Sequence, residues 1–175
     1  MEYRIREAHA GDWRRLRELR LAALADPLAP VAFNERYEVA AGKPPSFWRG
    51  RAGQARNGRP ITTLAAELPD GSWAGMLVVF VEDGEAHVVA VYLRPEHRGD
   101  GLAERLFDTA QAWAWARTDV VRMRLDVHQG NPRAEAFYRR YGFARTGASK
   151  PDPNDAAALE WEMVLERPPS EAQGR

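Results

Sequence analysis

The sequence predicts an α+β domain in which helices flank a mixed, mostly antiparallel central sheet of about seven strands. Three observations support this fold class. Apolar residues recur at helical spacing after residue 12, alternate as in strands between residues 61 and 93, and then follow helical and strand patterns in turn to residue 165. With 175 residues, 45% of them hydrophobic, the chain can bury one core, which we assign to residues 1–167. Residues 168–175 are expected to form a disordered tail.

The N-terminal part of the chain predicts one strand and then helices. Alternation predicts a strand at residues 3–6, and helical spacing predicts a helix at residues 12–25 with Asp12 as its cap. One or two further short helices are predicted within residues 30–57, the second of them capped by Ser46.

The middle of the chain predicts three consecutive strands. Alternating apolar residues place them at residues 61–68, 73–82 and 85–93. Residues 69–72 carry a turn signal, and Asp83-Gly84 is typical of a two-residue hairpin. We therefore expect an antiparallel meander.

Helix and strand patterns alternate in the C-terminal half. A helix is predicted at residues 102–118, and another begins with Asn131-Pro132 and ends at Tyr141-Gly142. The remaining strands are predicted at residues 120–127, 143–148 and 157–165. Residues 150–155 contain two prolines and are predicted to form a loop.

The composition argues against several classes of partner. Lys and Arg number 25, as do Asp and Glu, and this balance disfavours nucleic acid, so any anion site must be local. The chain has no cysteine, which excludes disulfides, thiolate metal sites and a cysteine nucleophile, and no metal is expected. No apolar run approaches the ~20 residues that span a bilayer, and we see no signal peptide. A cytoplasmic protein without membrane contact is expected.

One segment joins an apolar strand to a helix through a turn that contains two glycines. The strand ends at Leu93, the turn carries Gly99 and Gly101, and the helix starts at Leu102. Backbone N–H groups and a helix N-terminus then converge at one point, which attracts phosphate. Three basic residues of the turn add positive charge: Arg94, His97 and Arg98. A P-loop is excluded because no Gly-Lys-Ser/Thr follows, and the spacing does not fit a dinucleotide fingerprint.

Two segments of the chain resemble one known family. Residues 98–103, Arg-Gly-Asp-Gly-Leu-Ala, resemble the Arg/Gln-x-x-Gly-x-Gly/Ala signature of the GNAT superfamily of acyl-CoA-dependent N-acyltransferases. Residues 131–143 resemble the Asn-x-x-Ala-x-x-Phe-Tyr-x-x-x-Gly-Phe block of the same family. The order of elements matches over roughly residues 3–165. The resemblance implies the GNAT fold and acetyl transfer from acetyl-CoA to an amine by direct attack in a ternary complex.

The resemblance also implies which residues hold acetyl-CoA. Amides of the glycine turn would bind its pyrophosphate, and the strand before the turn would pair with its pantetheine arm. Asn131 would either hydrogen-bond the cofactor or cap the helix that follows it. The implied cofactor-binding residues are Val91, Tyr92, Leu93, Arg98, Gly99, Asp100, Gly101, Leu102, Ala103 and Asn131.

Three residues are candidates for proton transfer. Tyr138 occupies the position of the family's tyrosine that protonates the departing thiolate, although a packed aromatic residue would fit the pattern too. Glu85-Ala86-His87 resembles the His-x-His stretch of arylalkylamine N-acetyltransferases, with Glu85 in place of the first histidine. His87 is therefore a candidate base, as is Glu85, while a structural histidine remains the alternative. Other candidates for the base are Glu38, Glu67, Glu82 and a chain of water molecules.

The acceptor is expected to be a primary amine on a small molecule, with a protein N-terminus or lysine as second choice. Aromatic and acidic residues of the early helices would either line its pocket or only pack those helices against the sheet. These residues are Phe33, Tyr37, Glu38, Phe47 and Trp48. Residues 150–155 are expected to close the site. Two alternatives stay open, a longer acyl donor and a GNAT-like module that binds acyl-CoA without turnover.

Trp115 falls on the polar face of its predicted helix. An exposed tryptophan there predicts either a contact between the subunits of a homodimer or a side chain covered by the C-terminal tail.

Overall fold

A mixed sheet with helices on both faces forms the framework of the protein in the computed structural model, which describes residues 2–53, 55–56 and 58–169. The strands are β1 (Arg4–Glu7), β2 (Ala55–Arg56), β3 (Arg59–Glu67), β4 (Trp73–Glu82), β5 (Glu85–Leu93), β6 (Arg122–His128), β7 (Ala144–Pro151) and β8 (Leu159–Glu166). The helices are α1 (Trp13–Ala25), α2 (Tyr37–Ala41), α3 (Pro45–Ala52), α4 (Leu102–Trp115) and α5 (Pro132–Tyr141).

Seven of the strands run side by side in the order β1-β3-β4-β5-β6-β8-β7, and the two-residue β2 pairs with β3. All pairs among the described strands are antiparallel except β5 with β6, so the predicted mixed, mostly antiparallel sheet is confirmed. The predicted meander is β3-β4-β5. Asp83 and Gly84 both have positive φ, 51° and 77°, as the tight turn between β4 and β5 requires.

Two apolar cores lie on opposite faces of the sheet. One packs α4 and α5 against the sheet and contains Leu106, Phe107 and Met123, all nearly inaccessible. The other packs α1 and α3 against the opposite face around Trp48 and Trp73. Helices therefore cover both faces of the sheet.

Several predicted boundaries and caps were wrong. The helix predicted to end at residue 118 ends at Trp115, and β7 continues through Lys150 and Pro151, which were predicted to lie in a loop. Ser46 does not cap α3, because Pro44 precedes the helix and Pro45 takes its first position, where a missing N–H costs nothing.

Asp12 does not cap α1 as predicted. Its carboxylate accepts hydrogen bonds from Arg6, at 2.8 and 2.9 Å, and from the backbone N–H of His9 at 3.1 Å. The hydrogen bonds of Arg6 hold the pKa of Asp12 at about 2. This carboxylate therefore ties β1 to the chain that leads into α1.

The sheet opens between β5 and β6. These strands pair only from Glu85 with Arg122 to His87 with Arg124. Further along β5 the register against β4 shifts, and Ala90 has a φ of 54°, which marks a β-bulge. The bulge bends β5 away from β6, so that the edge of β5 that faces β6 has no strand partner beyond His87 among the described residues.

Two further expectations concern the chain as a whole. None of the described helices is long and apolar enough to cross a membrane. In the tail predicted at residues 168–175, residues 168–169 carry no regular structure, and residues 170–175 lie outside the described part of the chain.

Candidate active site

A cleft of about 420 Å³ fills the gap between β5 and β6. Residues 88–93 of β5 line one wall and residues 125–128 of β6 line the other. The connection from α1 to α2 supplies a third side through residues 26–34, which we call the strap. The strap reaches across the cleft, since a Cβ added to Gly130 beyond β6 would lie 3.3 Å from Cγ1 of Val31.

The glycine turn forms one end of this cleft. Gly99 and Gly101 have φ values of 88° and 84°, a backbone conformation that an L side chain adopts only with strain. A Cβ added at either glycine would meet no described atom within 4 Å, so the backbone there faces open space. Helix α4 begins directly after Gly101, and its first N–H groups have no partner within the helix. The turn therefore offers several backbone donors to an anion.

Two predicted cofactor-binding residues point away from the cleft. Leu102 is buried in the core under α4. The Asp100 carboxylate accepts a hydrogen bond of 2.7 Å from the hydroxyl of Tyr3, which lowers its pKa. These two side chains fix the turn in place, and the Asp100 carboxylate also accepts hydrogen bonds from the backbone N–H groups of Asp100 and Leu102.

The positive charge predicted for the turn is largely compensated. Arg98 lines the cleft, but its guanidinium donates to the carboxylate of Asp26 at 2.7 Å and to the carbonyl of Leu93 at 2.9 Å. Arg94 donates to Glu18 at 2.8 Å. His97 is buried beside Tyr3 and does not line the cleft.

Sequence reasoning missed two arginines of α5, Arg133 and Arg140, which both line the cleft. Neither forms an ion pair among the described residues, so both add uncompensated positive charge beside the cleft. Their signal was present in the sequence, because they stand two residues after Asn131 and two residues after Tyr138, inside the block that resembles the family.

The remaining predicted cofactor residues gather around the cleft: Val91, Tyr92, Leu93, Gly99, Gly101, Ala103 and Asn131. Past the bulge, none of the described strands pairs with the edge of β5 that faces β6, as an extended ligand would require. Asn131 accepts a hydrogen bond of 3.2 Å from the N–H of Ala134, so it caps α5 while it lines the cleft.

Tyr138 sits in the wall of the cleft with most of its ring buried. Its ring packs 5.7 Å from that of Phe107 and 5.7 Å from that of Phe137, measured between centroids. Burial raises the pKa of Tyr138 to about 12. The hydroxyl therefore stays protonated at neutral pH and is able to donate its proton only to a strong base in the cleft.

Glu85 and His87 lie outside the lining of the cleft, at the end of β5 where the strands still pair. The His87 ring stacks on Phe80 with 4.9 Å between centroids. Burial and the charge of Arg124 lower the pKa of His87. Glu85 forms ion pairs with Arg122 and Arg124, which lower its pKa against the opposing effect of burial. The structure brings these two residues together, 3.8 Å apart, but not to Tyr138.

One end of the cleft, beside β6 and β8, carries charged side chains from distant elements. Asp126, Asp152 and Glu160 line it, and sequence reasoning singled out none of them individually. Lys150 donates to Asp126 at 2.6 Å and lies 3.2 Å from Glu160. This end therefore carries three carboxylates against one ammonium group.

His128 also lines the cleft at this end. Its Nδ1 accepts a hydrogen bond of 2.8 Å from the N–H of Gly130. With that nitrogen engaged as an acceptor, a neutral ring carries its proton on Nε2 and acts as a donor there.

Of the residues predicted for the acceptor pocket, Phe33 lines the cleft and four others do not. Tyr37 and Glu38 are exposed, while Phe47 and Trp48 pack in the core between α3 and the sheet. Within residues 150–155, Asp152 lines the cleft. The described residues include no cluster of three or more His, Asp or Glu side chains that could hold a metal.

Trp115 is covered by the chain that leaves β8. Arg167 lies over its ring at 5.5 Å and donates to its carbonyl at 2.8 Å. The ring also packs against the core. The cover comes from Arg167, which directly precedes the predicted tail, and the half-buried ring gives no support to a homodimer.

Comparisons with known proteins agree with this geometry. Residues 16–143 match the model of the acetyltransferase (GNAT) family. A Bacillus subtilis (strain 168) protein, a candidate N-acetyltransferase of ribosomal protein bS18 alanine, is 28% identical over 100 residues, which are 55% of this chain and 66% of that protein.

Solved structures share the fold. A nourseothricin acetyltransferase is 28% identical with a TM-score of 0.57, over 62% of this chain and 66% of that one. A phosphinothricin acetyltransferase from Sinorhizobium meliloti, solved with AcCoA, has a TM-score of 0.73 over 95% of this chain and 89% of that one, at 19% identity. This chain thus spans 66%, just under two thirds, of the Bacillus relative and of the nourseothricin enzyme. The family match covers well over half of the sequence, and the chain belongs to the acetyltransferase (GNAT) family.

Proposed function

We propose that this protein transfers the acetyl group of acetyl-CoA to a primary amine of a small molecule. One observation carries the proposal: a single cleft joins the open glycine turn, the unpaired edge of β5 and the hydroxyl-bearing ring of Tyr138. The complexes of other family members support the cofactor, because the Sinorhizobium meliloti structure holds AcCoA.

The residues of the cleft fit an extended nucleotide thioester. Amides of residues 99–103 would bind its pyrophosphate, with Arg133 and Arg140 as additional cations nearby. Backbone groups of residues 91–93 would pair with the pantetheine arm in place of a strand. Asp26 would hold Arg98 against the wall while the cofactor passes.

Acetyl-CoA supplies an acetyl group already activated as a thioester. Backbone N–H groups at the bulge around Ala90 and Val91 would face the carbonyl oxygen, where negative charge grows during attack by the amine. Tyr138 would donate its hydroxyl proton to the sulfur as the carbon–sulfur bond breaks. Because burial raises the pKa of Tyr138, its hydroxyl stays protonated at neutral pH and is present as a donor when negative charge develops on the sulfur.

The amine must lose a proton before or during attack. We assign this proton to a carboxylate of the acceptor end, Glu160 before Asp126, either directly or through water. Glu160 lines the cleft and is 8% exposed, whereas His87 lies outside the lining. Glu85 also lies outside the lining of the cleft, so it is a weaker candidate than Glu160 or Asp126.

The deciding experiment couples binding to turnover. Calorimetry with coenzyme A should show stoichiometric binding, and a panel of polyamines, aminoglycosides, amino acids, arylalkylamines and peptides should give thiol release with acetyl-CoA for at least one small amine. Binding without release for any amine would favour the module that binds acyl-CoA without turnover. Release only with peptides would move the acceptor to a protein N-terminus or lysine, and absence of binding would overturn the cofactor site itself.

A further inference from the structure

A second cavity, of about 370 Å³, lies on the face of the sheet that carries α1 and α3. Its floor consists of side chains from the meander: Ile61, Thr63, Val78, Phe80 and Val89. Ala90, Arg51 and Arg59 complete the lining. Val89 and Ala90 belong to the lining of both cavities, so the second cavity adjoins the main cleft at the bulge of β5.

The charges around the second cavity do not balance. Glu35 lies 3.0 Å from Nε of Arg20 and 3.4 Å from Nη1 of Arg51, so two guanidinium groups share one carboxylate. Arg59 pairs with Glu82 at 2.5 Å. Among the described side chains, these three guanidinium groups meet two carboxylates, which leaves one positive charge in excess.

Part of this positive charge is shielded from water, because Arg20 is buried. Only 5% of the residue is exposed, and its Nη1 atom is buried without a hydrogen-bond partner. Its guanidinium lies over the ring of Phe33, 4.6 Å from the centroid. Since Phe33 lines the main cleft, the excess positive charge lies between the two cavities.

Charge of the opposite sign lies across the gap between the strands. Asp126 and Glu160 face the same side of the sheet as the second cavity, because Asp126 and His128 on β6 alternate with the buried Leu125 and Val127. The bulge at Ala90 therefore stands between a cationic cavity and an anionic end of the cleft.

We infer that the second cavity is the anion subsite of the acceptor, and that the acceptor is a small amino acid-type zwitterion with an apolar body. Its ammonium group would face Asp126 and Glu160 at the bulge, its carboxylate would be bound by Arg51 and Arg59, and its apolar part would pack on Val78 and Phe80. Arginine is suited to this role because its planar guanidinium donates two parallel hydrogen bonds to a carboxylate. The inference rests on the proposed function and narrows its substrate class.

The experiment uses four amines that differ in charge. L-Leucine, its neutral-ended analogue L-leucinamide, 3-methylbutylamine and 1,4-diaminobutane are compared as acceptors of acetyl-CoA by thiol release. L-Leucine should give the highest kcat/KM, about tenfold above 3-methylbutylamine, because only it places a carboxylate against the arginines. Arg51→Gln and Arg59→Gln should each remove most of that advantage, so that the ratio of kcat/KM between L-leucine and 3-methylbutylamine falls toward one.

Arg49→Gln is the matched control, since Arg49 is exposed on the same helix and stacks on Trp13 outside both cavities. It should leave the preference for L-leucine unchanged. Coenzyme A affinity and thermal unfolding of each variant show whether the fold is kept. Equal turnover of L-leucine and 3-methylbutylamine, or a preference for 1,4-diaminobutane, would overturn the anion subsite alone. Absence of thiol release with every amine of the wider panel would overturn the proposed function instead.

Discussion

The two ends of the cleft are built from different atoms. At the proposed cofactor end a ligand would meet backbone, which the positive φ of Gly99 and Gly101 and the bulge at Ala90 leave open. At the proposed acceptor end a ligand would meet charged side chains, among them Asp126 and Glu160, with Lys150 between them. Backbone geometry demands a few residue types at fixed spacing, whereas a side-chain pocket accepts many solutions. The first end therefore suits a ligand common to a family, and the second end suits a ligand peculiar to this protein.

Replacement of Tyr138 by phenylalanine tests proton transfer between the two ends of the cleft. It should have the largest effect on kcat. Without the hydroxyl, the departing sulfur loses its proton donor, and kcat should fall about 100-fold or more while coenzyme A affinity stays constant. Thiol release and calorimetry measure the two quantities. Since burial raises the pKa of Tyr138 to about 12, the parent protein should lose no activity from its ionisation up to roughly pH 10.

Tyr141→Phe is the control for that substitution. The Tyr141 hydroxyl donates to Asp108 at 2.8 Å and does not line the cleft. Its removal should change kcat less than twofold. An equal loss in both variants would mean that the aromatic cluster, rather than the Tyr138 proton, supports turnover.

Glu160→Gln tests the acceptor end by itself. If Glu160 takes the proton of the amine, kcat should fall about tenfold, with water as a weaker substitute, and coenzyme A affinity should not change. Glu162→Gln, two residues further along β8, removes a carboxylate that pairs with Arg124 at 2.8 Å and does not line the cleft. A similar loss of kcat in both variants would mean that the negative charge of this sheet face matters in general. Glu160 would then not be the base.

The sequence named most residues that line the proposed cofactor end of the cleft, but few of those that line the proposed acceptor end. The glycine pair and the block around Tyr138 are local patterns, so their residues could be named before the fold was known. Asp126, Asp152 and Glu160 come from three separate elements, and no local pattern marks them. Predicted helix caps were wrong where tertiary contacts overrode local signals. Asp12 is the example, because its carboxylate accepts a hydrogen bond from Arg6 on β1 instead of capping α1.

Gly101→Ala should have an effect of intermediate size on coenzyme A binding. Comparison with the same substitution at Gly147 separates backbone strain from contact with the ligand. Gly147 on β7 has a similar φ, 91° against 84°, and likewise no described atom within 4 Å of an added Cβ. Alanine at either position should lower the free energy of unfolding by about 1 kcal/mol, measured by urea denaturation. Only Gly101→Ala should also weaken coenzyme A binding, by about tenfold, because only its methyl group projects where the pyrophosphate would lie. Equal coenzyme A affinities in the two variants would contradict the phosphate site.

His87→Ala should have the smallest effect on turnover, less than twofold. His87 lies outside the lining of the cleft, and its lost stacking on Phe80 should appear only as reduced stability. Burial and Arg124 lower the pKa of His87, so its ring is already neutral at pH 7 and would show its ionisation only on the acid side of the rate profile. If the substitution instead lowers kcat tenfold and removes an acid limb from that profile, the proton of the amine leaves through the meander side of the cleft. The base would then lie on β5, the strand proposed to bind the cofactor. The assignment of the amine proton to a carboxylate of the acceptor end would be wrong.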